Sequence, residues 1–210
     1  MTWASPGSGP GTCSRRTRSA RKKRALRRRA HGLPGRTALL AEDETDLRLF
    51  PPLRAGWAAR GAAAPVPISG ANAKRVLFGA LNLRTGTRLF RAARRGRGAD
   101  FRSFLGLVRD RYRGRGVALL LDEDSSHTAA ASRRAADDLG IELLWLPTRS
   151  PHLNPMDHLW RHAKQAACAN RQYRTIEEEV QRFLWYLEGL TADQALNKAG
   201  VFADDFWLDL

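Results

Sequence analysis

Residues 117–121 read VALLL, and Asp122 follows them directly. An apolar run without a polar position predicts a strand that is covered on both faces, as is typical of a central strand in a parallel sheet. In open α/β sheets, functional groups lie just beyond the carboxyl ends of the strands. This segment therefore predicts the centre of a sheet and, directly after it, an acidic residue at the functional edge.

The chain on both sides of this segment alternates between strand and helix patterns. Apolar runs predict four further strands, at residues 37–41, 76–83, 87–92 and 141–146. A tight turn at Thr85-Gly86 joins the strands at 76–83 and 87–92. Apolar spacings of three and four, together with one Ala-rich stretch, predict helices over 100–112, 128–139, 156–169 and 176–190. The sequence thus predicts an α/β fold with a mixed five-stranded sheet flanked by helices.

Prolines and glycines separate the first two predicted strands. They break residues 50–75 into turns, so no helix is expected there, and Trp57 is expected to pack within this stretch.

The positive charge is concentrated at the N-terminus. The chain has a net charge of +15, and residues 1–36 hold 11 Lys or Arg and no Asp or Glu, which leaves 25 basic and 21 acidic residues for positions 37–210. Such a basic run repels itself and buries little apolar surface, so we expect residues 1–36 to be a disordered segment that binds polyphosphate. A merely solvated basic extension is the alternative. Residues 37–210 are expected to form the folded domain.

Two sequence features bear on the compartment. No stretch approaches the roughly 20 apolar residues that a membrane-spanning helix needs, so no membrane partner is expected. Cys13 and Cys168 cannot supply a disulfide framework or a four-thiolate metal site. We expect a cytoplasmic protein in a reducing compartment.

Acidic residues follow two of the predicted strands. The run at 37–41 leads into an acidic cluster that contains Asp43, and the run at 117–121 leads into Asp122. A third acid, Asp157, opens the predicted helix at 156–169. Alone, each is more often a turn or helix-capping residue, a position that the helix dipole favours by about 0.3–1 kcal/mol. Together they favour a shared site.

Converging carboxylates need a counter-charge. At ~5 Å separation and an effective dielectric of ~20, each like-charged pair costs about 3 kcal/mol, so the acids must protonate or bind cations. All-oxygen coordination favours Mg²⁺ or Mn²⁺ over Zn²⁺. Two such ions, about 3.5–4 Å apart, would support an in-line phosphoryl transfer. If the three side chains converge, Asp43, Asp122 and Asp157 are therefore candidate ligands of such ions and candidate catalytic residues.

Three segments carry a resemblance to a known family. They are LLAEDETDLRLFPPLRAGW at 39–57, VALLLDEDSSHTA at 117–129 and LPTRSPHLNPMDHLWRHAK at 146–164. They resemble the catalytic domain of mariner-like DDE transposases, in particular those of bacterial insertion sequences, and the resemblance extends from about Thr37 to Val201. The 34 residues between Asp122 and Asp157 are a spacing typical of that superfamily.

The resemblance implies a fold, a reaction and partners. It implies an RNase H-like fold in which Asp43, Asp122 and Asp157 hold two Mg²⁺ or Mn²⁺ ions for DNA strand cleavage and strand transfer. The implied partners are the ends of the DNA element and the target DNA, with a homodimer on DNA left open, and the implied location is the bacterial nucleoid. Such transposases carry N-terminal helix-turn-helix modules, so the 36 residues before the first strand imply a truncated chain.

Two departures and two alternatives accompany this interpretation. Many relatives have Asn after the second acid, whereas Glu123 and Asp124 stand here and could compete for metal or repel DNA. The third acid is Asp rather than the Glu common in bacterial relatives. A catalytically inactive DNA-binding remnant would keep only the basic segment's function. An RNase H-like nuclease acting on hybrids or junctions would use the same acids.

Overall fold

The computed structural model describes residues 15–61 and 65–209. Its strands are β1 (Ala38–Arg48), β2 (Lys74–Asn82), β3 (Arg88–Ala93), β4 (Val117–Leu121) and β5 (Ile141–Trp145). Its helices are α1 (Arg15–His31), α2 (Gly98–Arg111), α3 (Ser125–Thr128), α4 (Ala130–Asp138), α5 (Pro155–Ala163), α6 (Ile176–Gly189) and α7 (Ala192–Lys198). A 3₁₀ turn, Pro151–Leu153, precedes α5, and a π-helical turn, Lys164–Cys168, follows it.

The five strands form one mixed sheet in the order β3-β2-β1-β4-β5. Strand β1 pairs antiparallel with β2 and parallel with β4, and β4 pairs parallel with β5. All five residues of β4 are buried, as expected for a strand with helices on both sides. The predicted mixed five-stranded sheet flanked by helices is therefore confirmed.

Each face of the sheet has its own apolar core. On one face, Leu39 and Leu77 pack with Trp160 of α5 and Phe183 of α6. The other face packs against α2, whose Phe104 ring lies 5.9 Å from that of Phe78. Each fully buried Phe contributes about 1.5–3 kcal/mol of hydrophobic free energy, so these contacts fix the helices on the sheet.

Helix α5 approaches β2 closely at Gly79. A Cβ atom added at Gly79 would lie 2.5 Å from Cζ2 of Trp160 and 2.7 Å from Cε of Met156. Only glycine leaves room for this contact, because a side chain there would overlap the helix. Since Gly79 is the register partner of Asp43, this close packing brings the start of α5 to the acidic part of β1.

The predicted disorder of residues 1–36 is wrong for residues 15–31, which form α1. Leu26 and Ala30 of this helix are 8% and 1% exposed and belong to the main core. Arg29 pairs with Glu142 at 2.5 Å, a partner far away in the sequence. Repulsion within the basic run does not keep this segment disordered, because acids that are distant in the sequence compensate its charge. Residues 1–14 of the predicted segment lie outside the described residues.

Three further details differ from the expectation. Strand β1 continues to Arg48, through the acidic cluster, because β2 pairs with it along residues 40–48. Trp57 does not pack within its stretch but is fully exposed, at 101%. Helix α7 was not predicted.

In the described part of the chain, the helices are too short or too polar to cross a membrane.

Candidate active site

The side chains of Asp43, Asp122 and Asp157 line one cavity of about 210 Å³. Strands β1 and β4 run parallel, so their carboxyl-terminal halves lie toward the same edge of the sheet. Asp43 lies on β1, and Asp122 is the first residue after β4. The structure thus brings together the three acids that the sequence singles out, although they are distributed over 115 positions of the chain.

Asn154 places the third acid. It caps the N-terminus of α5, where its side-chain oxygen accepts a hydrogen bond from the amide of Met156 at 3.0 Å. Its Nδ2 atom donates to the backbone oxygen of Glu42 at 2.8 Å. One buried side chain therefore connects the first turn of α5, which carries Asp157, to the strand residue that precedes Asp43.

The three acids interact electrostatically. Burial raises the pKa of Asp43 well above its ordinary value, and the negative charges of Glu44, Asp157 and Asp122 raise it further. The carboxylate of Asp157 also accepts a hydrogen bond from Arg161 at 2.8 Å. A cation in this cavity would favour the ionised form of Asp43, because opposite charges at short range lower a carboxyl pKa.

His127 connects the cavity to acids behind it. The side chain of His127 is 1% exposed, and its Nδ1 lies 3.1 Å from Oδ1 of Asp122. Its Nε2 lies 2.9 Å from Oε1 of Glu44. Burial lowers the pKa of His127, but the hydrogen bonds with Asp122 and Glu44 outweigh it and raise that pKa to about 11. The hydrogen bond between His127 and Asp122 also lowers the pKa of Asp122.

Glu42 is the most deeply buried acid of the site. It is 0% exposed, and among the described residues neither carboxylate oxygen has a hydrogen-bond partner. Burial raises its pKa well above the ordinary value, and the charge of Glu44 adds to this. Glu42, Glu44 and His127 offer potential metal-ligand atoms that all lie within 4.8 Å of one another. Since side chains alternate along a strand, this cluster lies on the side of β1 opposite Asp43.

Sequence reasoning did not assign a role to this cluster. The sequence predicted only an acidic run after a short strand at Glu42 and Glu44, and it predicted no role for His127. The three consecutive acids at 42, 43 and 44 could have indicated the cluster, because in an extended strand the side chains of 42 and 44 lie on one face and that of 43 on the other.

The two acids after Asp122 are engaged by other partners. Glu123 contacts Nζ of Lys22 at 2.5 Å and accepts a hydrogen bond from the Thr148 hydroxyl at 2.7 Å, and these two hydrogen bonds lower its pKa. Asp124 caps α3 by accepting from the amide of Ser126 at 2.7 Å. Its own backbone amide donates to Oδ1 of Asp122 at 2.9 Å. Both acids therefore have partners within the chain, and the backbone amide of Asp124 supports Asp122.

The family model of the DDE superfamily endonucleases matches residues 38–179, about two thirds of the sequence. The chain belongs to the DDE superfamily endonucleases. The predicted resemblance to transposases of this superfamily is confirmed.

Individual relatives of this DDE endonuclease agree with the assignment. It is 26% identical over 149 residues to the insertion element IS630 uncharacterized 39 kDa protein of Shigella sonnei, covering 70% of this chain but only 43% of that protein. The catalytic domain of Mos1 mariner transposase aligns with a TM-score of 0.63 and 18% identity, covering 91% of each chain. The mariner Mos1 paired-end complex with Mg aligns with a TM-score of 0.70 and 17% identity, covering 94% of this chain and 63% of that one. The chain thus has the RNase H-like fold of the Mos1 catalytic domain.

Proposed function

We propose that this DDE endonuclease cleaves and joins DNA strands by two-metal phosphoryl transfer, with Asp43, Asp122 and Asp157 as the ligands of two Mg²⁺ or Mn²⁺ ions. The observation that carries the proposal is that these three side chains line one cavity. The proposed partners are the ends of a DNA element and a target duplex. Assembly as a homodimer on DNA and association with the nucleoid stay predictions.

The donor set fits hard divalent cations. The three acids offer only oxygen ligands, which suit Mg²⁺ and Mn²⁺ better than Zn²⁺. Burial, together with the negative charges of Glu44, Asp157 and Asp122, raises the pKa of Asp43, and a cation in the cavity would favour its ionised form. The similar Mos1 structure is a complex with Mg, which supports the same choice here. When bound, the ions would polarise the scissile phosphate and lower the pKa of the attacking hydroxyl.

The protein's own part in this reaction is to hold the carboxylates in place. Asp43 lies on a strand paired on both sides, Asp122 is held by His127 and the amide of Asp124, and Asp157 is held by Arg161. Ligands that are fixed before substrate binds need little reorganisation during the reaction, which lowers the barrier.

The proposed chemistry consists of two related displacements. In cleavage, the oxygen of water bonds to phosphorus and loses a proton, while the bond from phosphorus to O3′ breaks; the leaving oxygen takes up a proton and becomes a 3′-hydroxyl, and the other product is a 5′-phosphate. In joining, a 3′-hydroxyl oxygen bonds to a target phosphorus and loses its proton, while the target bond from phosphorus to O3′ breaks and that oxygen is protonated. Neither step requires an oxidant or a reductant.

A plasmid-nicking assay with Mg²⁺ or Mn²⁺ tests the proposal. We expect Asp122→Asn to reduce nicking at least 100-fold, on the order of the loss of one essential catalytic group. Asp46→Asn is the matched control, because Asp46 lies on the same strand as Asp43 but pairs with Lys74 at 2.7 Å outside the cavity. Nicking by Asp122→Asn at the wild-type rate would refute the assignment.

A further inference from the structure

Helix α1 is fixed beside the acidic cavity. Nζ of Lys22 lies 2.5 Å from Oε1 of Glu123, and Glu123 lines the cavity together with the three predicted ligands. One turn further along, Leu26 and Ala30 are buried in the main core. Nε of Arg27 donates to the backbone oxygen of Trp207 at 2.6 Å. These contacts hold the helix at the rim of the cavity.

The opposite face of α1 is basic and exposed. Arg21, Arg24 and Arg28 are separated by three and four residues, which places them on one face of the helix. All three are exposed, and none of their guanidinium groups has an ion-pair or hydrogen-bond partner among residues 15–61 and 65–209. At 1.5 Å per residue, the three guanidinium groups extend over about 10 Å of helix. Lys22 and Arg29, in contrast, pair with Glu123 and Glu142.

We propose that the outer face of α1, formed by Arg21, Arg24 and Arg28, binds the phosphates of the DNA duplex whose scissile strand enters the acidic cavity. Guanidinium groups bind phosphate in bidentate geometry, and three unpaired ones along one face form a phosphate-binding surface. The inference rests on the proposed function, since the cavity beside α1 is what makes DNA the expected polyanion. A membrane surface fits less well, because this face carries no large apolar side chain to insert.

The Lys22–Glu123 contact has a second consequence for DNA. Glu123 is the acid that was expected to repel the substrate, and Lys22 supplies its counter-charge. The contact therefore removes an unpaired negative charge from the path of the phosphates and at the same time docks the helix that would bind them.

Fluorescence anisotropy with a labelled duplex of about 30 base pairs, in EDTA, tests the inference without any cleavage. For the variant with Arg21→Gln, Arg24→Gln and Arg28→Gln, we expect roughly 10- to 100-fold weaker binding at about 0.1 M salt. The slope of log affinity against log salt should become shallower by about 2 to 3, since each lost phosphate contact contributes about 0.9.

The matched control removes three arginines elsewhere. Arg36, Arg84 and Arg115 are exposed and line a separate cavity beside the amino-terminal ends of β1 and β4, at the opposite edge of the sheet. Their replacement by Gln changes the net charge equally and should alter affinity less than about threefold, if position matters more than total charge. A third variant, with Arg21→Lys, Arg24→Lys and Arg28→Lys, keeps the positive charge and should recover the salt slope and part of the affinity, because Lys binds phosphate without the bidentate geometry.

Three results would overturn the inference. The first is unchanged binding by the α1 variant. The second is an equal loss in the control variant, which would show that only net charge matters. The third is a salt slope that the Lys variant does not restore, which would assign the effect to altered helix structure rather than to the charge of this face. These outcomes are separate from the proposed function, because binding in EDTA is independent of the nicking that Asp122→Asn tests.

Discussion

Nδ1 of His127 lies 3.1 Å from Oδ1 of Asp122, so that a buried imidazole holds the acid at the end of the interior strand β4. The other ring nitrogen contacts Glu44 on β1 at 2.9 Å. The ring of Phe101, 4.4 Å away between centroids, packs against the imidazole. His127 thus joins the two strands that supply Asp43 and Asp122, and its positive charge compensates acids that would otherwise repel one another.

Replacing this imidazole should impair both folding and activity. In His127→Phe, Glu44 and Asp122 lose their shared partner, and the buried Glu42 loses a charge 3.7 Å away. Leaving buried charges uncompensated costs about 3–5 kcal/mol, which thermal or urea unfolding would measure. We expect nicking by the folded fraction to fall at least tenfold, as for a lost positioning contact. Stability equal to wild type would contradict the assigned role.

The raised pKa of His127 predicts a pH dependence of stability. The pKa is about 11 in the folded protein against an ordinary value of 6.5, so the stabilisation is fully present below about pH 6.5 and is lost as the pH rises toward 11. Urea unfolding in EDTA should therefore show a falling free energy of unfolding between pH 7 and 11. The slope should be smaller in His127→Gln, which does not titrate. Parallel slopes for the two proteins would show that other groups cause the effect.

Gly79→Ala should disturb the packing of α5. The new methyl group would overlap the Trp160 ring and Met156, since a Cβ there would lie 2.5 and 2.7 Å from their nearest atoms. Overpacking of this kind costs about 1–3 kcal/mol, and the displaced helix would carry Asp157 with it, so nicking should also fall. Gly106→Ala in α2 is the control, because a Cβ there meets nothing within 4 Å. It should raise stability by about 0.5–1 kcal/mol. Equal unfolding midpoints for the two variants would refute the packing argument.

Asn154→Ala should separate positioning from stability. The variant loses the cap of α5 and the hydrogen bond to the backbone of Glu42, at a cost of about 1–2 kcal/mol. Thr175→Ala removes the cap of α6, where Thr175 accepts from the amide of Glu178 at 3.1 Å, and should cost a similar amount. Only the Asn154 variant should lose nicking, because only its cap places Asp157. Equal activity of the two variants would argue against this role.

Calorimetric titration with Mn²⁺ should detect the proposed metal site without DNA. We expect Asp157→Ala to bind the ion at least tenfold more weakly than wild type, because one of three carboxylate ligands is lost. Asp193→Ala is the control, since Asp193 lies in the first turn of α7 and does not line the cavity. Equal affinity of wild type and Asp157→Ala would exclude Asp157 as a ligand.

Local patterns in the sequence were enough to predict the sheet and most of its helices. VALLL at 117–121 predicted a buried strand inside the sheet. This segment forms β4, whose five residues are all buried, because apolar side chains are more stable away from water. Apolar spacings in 100–112 likewise predicted α2, whose Phe101, Phe104, Leu105 and Val108 are buried. These features depend on neighbours within a few residues, so they can be recognised without knowing the fold.

Contacts between distant residues were decided only by the tertiary structure. The acids Glu123 and Glu142, which lie 101 and 113 positions beyond their basic partners, dock α1 where sequence alone predicted disorder. Strand β2 extends β1 through the acidic residues, which places Asp43 at the cavity and Glu42 behind it. His127 lies in α3, the helix that follows β4, and compensates the negative charge of these acids. The sequence alone predicts which segments bury apolar surface. It does not predict which charged side chains pair, because Coulomb interactions depend on distance in space rather than along the chain, and only the fold sets those distances.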